Sequence, residues 1–153
     1  MRALIQGLLL VVLAVAGAGA THLWHPRAPS LWLTEEPLRD DEISIAHVMS
    51  EWDGQVIWLD ARPESEFGKG HIPGAYLLNE EGFLDQLMEL LDVLQTSDQP
   101  VVIYCNGERC EASRRIREQL MNQFPLENVW VLKGGWPQWQ AEGWSVERGN
   151  HAD

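Results

Sequence analysis

Apolar residues in this chain fall into short β-type runs separated by amphipathic stretches. The runs are Val56 to Leu59, Ala75 to Leu78, Val101 to Tyr104 and Val129 to Leu132. Each has the length of a strand, and their near-continuous apolar character is that of strands covered on both faces. Between them the period changes to that of a helix. After an extended piece at Asp41, Ser44 is placed to cap a helix that presents Ile45, Val48, Met49 and Trp52 on one side. Glu81 to Gln95 is the clearest amphipathic helix, with Phe83, Leu84, Leu87, Leu90, Leu91 and Leu94 expected on its buried face. Glu111 to Phe124 repeats the pattern through Ala112, Ile116, Leu120 and Phe124. Shorter helical pieces are expected at 63–67, where a proline starts the turn, and at 136–141. Gly68 to Gly74 and Gly134-Gly135 read as turns, and Trp144 to Glu147 as a last extended piece. Strands alternating with helices in this way predict an α/β fold, a mainly parallel sheet with helices on both faces.

The first 40 residues follow another pattern. From Ala3 to Ala20 the only polar side chain is Gln6. As a helix this run reaches about 27 Å, close to the roughly 30 Å of a hydrocarbon core. It also has the form of a signal peptide: Arg2 first, then an apolar stretch, then Ala16-Gly17-Ala18 and Ala18-Gly19-Ala20 as small-x-small cleavage patterns. Both readings of residues 1–20, anchor and cleaved signal, put the rest of the chain outside the cytoplasm, on the periplasmic or extracytoplasmic side. If uncleaved, residues 3–20 make the membrane a partner. Residues 21–40, with Pro26, Pro29 and Pro37, read as a linker. His22 and His25 lie in it with no third ligand nearby, so no metal site is expected. The domain proper is expected over 41–148, with 149–153 a tail.

Composition narrows the partners. The formal net charge is -12, which argues against nucleic acid and anionic lipid heads, both of which call for basic patches. Eight tryptophans supply large buried area for a chain of 153 residues. Two cysteines make neither a disulfide framework nor a four-ligand zinc set, and no cofactor is expected.

One of those cysteines carries the candidate chemistry. Cys105 follows a strand and precedes a helix. There, unpaired N–H groups and the helix dipole stabilise a thiolate. Position alone equally allows an inert strand-end cysteine. The sheet topology favours the functional reading, because sites in such folds form at the carboxyl ends of strands. Asp60 and Arg62 end another strand; a pair of this kind more often fixes a loop by hydrogen bonds than catalyses. Arg114, Arg115 and Arg117 follow Cys105 on the next helix, and at least two are expected on a solvated face.

Three motifs then carry a resemblance. They are Asp60-Ala61-Arg62-Pro63-Glu64-Ser65-Glu66-Phe67 with Gly70-His71-Ile72-Pro73-Gly74-Ala75; Val102-Ile103-Tyr104-Cys105; and Leu132-Lys133-Gly134-Gly135-Trp136. Together, over about 41–147, they resemble the rhodanese-like, or sulfurtransferase, domain. The resemblance implies a five-stranded parallel core between helical layers. It implies that Cys105 accepts sulfane sulfur as a persulfide from a donor and passes it to a thiol acceptor, small molecule or protein. It also implies structural roles for Asp60, Arg62 and His71.

The active-site loop departs from the commoner family pattern, Cys-x-x-Gly-x-Arg-Ser. Here Cys105-Asn106-Gly107-Glu108-Arg109-Cys110 places the glycine and the arginine one residue early, and a second cysteine stands where the arginine is expected. Glu108 and Glu111 outweigh Arg109, so an anionic donor such as thiosulfate meets net repulsion, and a protein thiol or low-charge thiol donor fits better. A cysteine phosphatase would need arginine six residues after Cys105, where Glu111 stands. Two other readings stay open. Cys105 and Cys110 can form a thiol–disulfide redox or sensing pair with Cys110 as the resolving thiol. Alternatively, the domain is a non-catalytic interaction module.

Overall fold

The computed structural model describes residues 6–7, 37–107 and 111–149. The chain divides into two units, Met1–Glu36 and Pro37–Asp153. Of the first only Gln6 and Gly7 are described, and both are helical and exposed. The anchor or signal at 1–20, the linker histidines and most of the tail at 149–153 therefore lie outside the described residues. Among the described residues no helix is long and apolar enough to cross a membrane.

The second unit is a five-stranded sheet in the order β1-β5-β4-β2-β3. The strands are β1 (Glu42–Ile43), β2 (Ile57–Asp60), β3 (Tyr76–Leu77), β4 (Val101–Tyr104) and β5 (Val129–Leu132). Every pairing is parallel, with Leu59 opposite Ile103 and Ile103 opposite Val131 across the centre. The helices are α1 (Ile45–Trp52), α2 (Glu64–Lys69), α3 (Phe83–Thr96), α4 (Glu111–Gln123) and α5 (Gly135–Ala141). Ser44 caps α1 as expected, its hydroxyl accepting from the His47 N–H at 3.2 Å.

Side chains alternate between the two faces of a strand, and here both faces are covered. Ile57, Leu59, Val101, Ile103, Val129 and Val131 pack with α3 and α4. Trp58, Val102, Tyr104 and Leu132 face the other way, against α1 and α5. Several tryptophans gather on that second face. Trp58 and Trp139 meet edge to face with centroids 5.4 Å apart, and the Trp139 indole donates to the Ser145 carbonyl at 2.9 Å.

Three expectations need correction. Leu84 is not on the buried face of α3; it is 70% exposed. The buried line runs through Phe83, Leu87, Leu90 and Leu94, and Leu84 lies about 100° round the helix from Phe83. The turn region at 68–74 is partly helical, because α2 continues to Lys69. The arginines of α4 do not form a solvated face. Arg114 pairs with Asp41 at 2.9 Å and with Glu42, and Arg117 donates to the Val129 carbonyl at 2.7 Å. Only Arg115 is exposed, bridging to Glu80 at 2.8 Å. Asp41 and Glu42, distant in sequence, hold Arg114 down, and the Val129 carbonyl holds Arg117.

The extended piece near the carboxyl end joins no strand of the main sheet. Glu147 instead forms an antiparallel bridge with His71, through N–H···O bonds of 2.8 and 2.9 Å. The Glu147 carboxylate accepts from the Gly74 N–H at 2.9 Å, and the Gly149 N–H donates to the Gly68 carbonyl. This segment straps the loop between α2 and β3.

Candidate active site

β2 and β4 are neighbours, and both end at the same edge of the sheet. Asp60 stands opposite Tyr104 in register. The loops that follow them, one starting at Ala61 and the other at Cys105, are thereby brought together. They border an open pocket of about 400 Å³, lined by Ala61, Arg62, Pro63, Cys105, Asn106, Gly107, Glu111 and Ala112. Cys105 is buried and disulfide-bonded. Glu108, Arg109 and Cys110 lie outside the described residues.

Beneath the pocket is a polar cluster. Asp60 and Arg62 are almost wholly buried. The Arg62 guanidinium donates to both Asp60 oxygens at 2.6–3.0 Å and to the Gly70 carbonyl at 2.6 Å. The Arg62 backbone N–H donates to Asp60 as well. Aromatic faces complete the enclosure, with the Trp136 centroid 4.4 Å and the Tyr104 centroid 5.6 Å from the guanidinium carbon. Burial works against the Arg62 charge, but the hydrogen bonds and negative charge of Asp60 outweigh it and hold its pKa above the ordinary value. Burial, reinforced by Asp60, pushes the Tyr104 phenol far above its ordinary range. Its oxygen accepts from the Ile72 N–H at 3.1 Å.

This geometry connects the three motifs. The Trp136 N–H donates to the Cys105 carbonyl at 2.8 Å, which ties the glycine turn before α5 to the active-site loop. Gly134 has φ 73°, a left-handed conformation that favours glycine. At Gly70 a Cβ would come within 2.9 Å of the Val146 side chain, so a bare backbone lets the carboxyl-terminal strap approach. His71 is buried and stacks on Phe67 with centroids 3.8 Å apart. Its Nδ1 lies 2.9 Å from the Phe67 carbonyl, placed to donate to it. Asp60 and Arg62 are thus bonded to each other, Arg62 also to the Gly70 carbonyl, while His71 bonds to the Phe67 carbonyl.

A profile of the rhodanese-like domain matches residues 45–142. The chain belongs to this family. Its rhodanese-like domain is similar to the thiosulfate sulfurtransferase structure from Pseudomonas aeruginosa, with a TM-score of 0.57 and 26% identity over 78% of this chain and 22% of that one. In sequence it is 31% identical over 115 residues to the HTH-type transcriptional regulator Rv0324 of Mycobacterium tuberculosis, covering 72% of this chain and 46% of the regulator. It is 30% identical over 105 residues to the mitochondrial thiosulfate/3-mercaptopyruvate sulfurtransferase 1 of Arabidopsis thaliana, covering 60% of this chain and 27% of that one. The chain spans less than half the length of these curated relatives.

Of the residues singled out from sequence, Cys105, Asn106 and Gly107 come together in the pocket. Ala61, Pro63 and Ala112 were not anticipated there. The signal for the first two lay in the topology: if β2 neighbours β4, the residues after Asp60 must flank Cys105. Asn79 was also missed. It donates to the Arg62 carbonyl at 3.2 Å and accepts from the Gly82 N–H at 3.0 Å, linking the pocket wall to the start of α3. Among the described residues no group of His, Cys, Asp or Glu could hold a metal ion.

Proposed function

We propose that this rhodanese-like domain is a sulfurtransferase in which Cys105 carries sulfane sulfur as a persulfide. The observation that supports it most is the position of Cys105, beyond the carboxyl end of β4 with its loop bordering the pocket. Where Cys105 is held in a disulfide, an external dithiol opens it and is itself oxidised as the Cys105 thiol forms. The thiolate then attacks the outer sulfur of a donor persulfide R–S–SH; the Cys105 S–S bond forms, the donor S–S bond breaks, and R–S⁻ leaves. An acceptor thiolate next attacks the outer sulfur of Cys105–S–SH, taking it away and restoring the Cys105 thiolate. Glu111 at the pocket wall favours low-charge donors over thiosulfate. Reduced protein treated with glutathione persulfide should gain one sulfur atom in intact mass, and Cys105→Ser should not. Equal gain in that variant overturns the assignment.

A second reading is favoured by the disulfide itself: Cys105 exchanges disulfides, with Cys110 as its resolving thiol. Intact mass of protein isolated without reductant separates the two. A loss of two hydrogens marks the internal disulfide as the resting form, and a gain of one sulfur marks the persulfide. Export belongs to the same proposal, supported by the apolar run at 3–20 and consistent with a compartment that permits disulfides. Amino-terminal sequencing of the mature chain distinguishes a cleaved signal from a retained anchor.

A further inference from the structure

The outward side of α3 carries an apolar stripe with no cover among the described residues. Leu84 is 70% exposed and Met88 69%. With the half-buried Leu91 they follow an i, i+4, i+7 spacing, so they line one edge of the helix. Beside them, on the outermost side, stand Asp85, Glu89 and Asp92, all exposed. Among the described residues these three carboxylates have no ion-pair partner, whereas Glu80 and Glu111 nearby share Arg115. The imbalance extends along the chain: no lysine or arginine occurs between Lys69 and Arg109. An apolar stripe bordered by unneutralised negative charge is a half-interface, lacking its cationic complement.

The segment that leads into α3 is tied to the pocket wall. Asn79 joins the Arg62 carbonyl to the Gly82 N–H just ahead of α3. Arg115 joins Glu80, before α3, to Glu111 at the pocket wall. A molecule lying along Leu84 and Met88 is therefore held at the first turns of the helix whose entrance is tied to the Cys105 pocket.

We propose that this face of α3 docks a protein partner that presents basic side chains around an apolar centre, and that this partner is the sulfur acceptor for Cys105. The second clause rests on the sulfurtransferase reading; the first does not. Charge decides the kind of partner. A second copy of the same face would set carboxylates against carboxylates. An anionic lipid surface would be repelled by Asp85, Glu89 and Asp92. A basic amphipathic protein segment satisfies both the stripe and its border.

The test uses the full chain and two cysteine-free, fluorescein-labelled helical peptides that share one leucine stripe, one flanked by lysine and the other by glutamate. Anisotropy should show the lysine peptide binding at least about tenfold tighter at low salt, with the gap shrinking as salt rises. Leu84→Ser with Met88→Ser should weaken it, and Asp85→Lys with Glu89→Lys should reverse the preference. Lack of preference between the peptides, or a preference untouched by the charge reversal, overturns the docking surface. So does self-association abolished by Leu84→Ser with Met88→Ser, which would make a second copy the occupant. Binding that emerges only after residues 1–36 are removed by protease also overturns it, as the chain would then cover its own face. Cysteine-bearing versions of the peptides read the second clause. The persulfide on Cys105 should pass to the lysine peptide faster than to the glutamate peptide, with transfer to free cysteine equal in wild type and both variants. If free cysteine accepts no sulfur while the lysine peptide still binds, the sulfurtransferase reading fails and the docking surface stands.

Discussion

Arg62 shows how much of this domain depends on single buried groups. Its guanidinium is enclosed by Asp60, the Gly70 carbonyl, Trp136 and Tyr104. Removing Asp60 leaves that cation buried without its counter-charge. Asp60→Ala should therefore cost about 3–5 kcal/mol of stability, measurable as a lowered midpoint in urea. Ser113 presents the opposite case. It is fully buried on α4, and its hydroxyl has no hydrogen-bond partner among the described residues. Replacing a buried unsatisfied hydroxyl by hydrogen, as alanine does, relieves a desolvation cost. Ser113→Ala should melt at the same temperature as the wild type or higher; a clear drop would show that the hydroxyl is satisfied in solution.

Among the elements, the runs that alternate between two covered faces were the most readable. Val101-Val102-Ile103-Tyr104 declared a doubly buried strand by composition alone, and the position of Cys105 at its end followed directly. The edge strands were less legible. β1 is only Glu42–Ile43, too short for any period, and half of it is a glutamate. What makes that glutamate tolerable inside the fold is distant in sequence: Arg114 pairs with it, and Lys133 lies 3.7 Å away. Tertiary partners are also why Arg114 and Arg117 could not be placed from local pattern, since Arg117 donates to the Val129 carbonyl. Leu84 failed for a different reason, since a leucine at the margin of an amphipathic face has no local mark of whether it is covered. Arg114→Ala should free the β1 edge, costing about 1–3 kcal/mol through the buried Glu42 carboxylate. Hydrogen exchange at Glu42 and Ile43 should quicken while the central strand β4 stays protected.

For the whole molecule, the raised pKa of Tyr104 sets an alkaline limit. An unfolded tyrosine ionises near pH 10, while the folded phenol holds its proton well beyond that. Below about pH 10 both states are protonated and the contribution of the buried phenol is complete. Above it the unfolded chain loses a proton that the folded chain keeps, so stability falls as pH rises. Denaturation midpoints followed into the alkaline range should decline more steeply for the wild type than for Tyr104→Phe. Phenolate absorbance should show one of the two tyrosines ionising only as the fold is lost.

The carboxyl-terminal strap has a mechanical consequence. All strands of the sheet are parallel and are joined through helices, so none is an immediate continuation of the chain's end. Tension applied at the carboxyl end meets the Gly149–Gly68 bond and then the paired bonds between His71 and Glu147. These yield one after the other, as a zipper opens, before the sheet bears load. Stretched between its amino and carboxyl ends in a force spectrometer, the domain should give a small early extension from release of residues 144–149 and then a larger rupture of the sheet. Glu147→Pro, which removes the donor to the His71 carbonyl, should erase the early step and leave the later one in place.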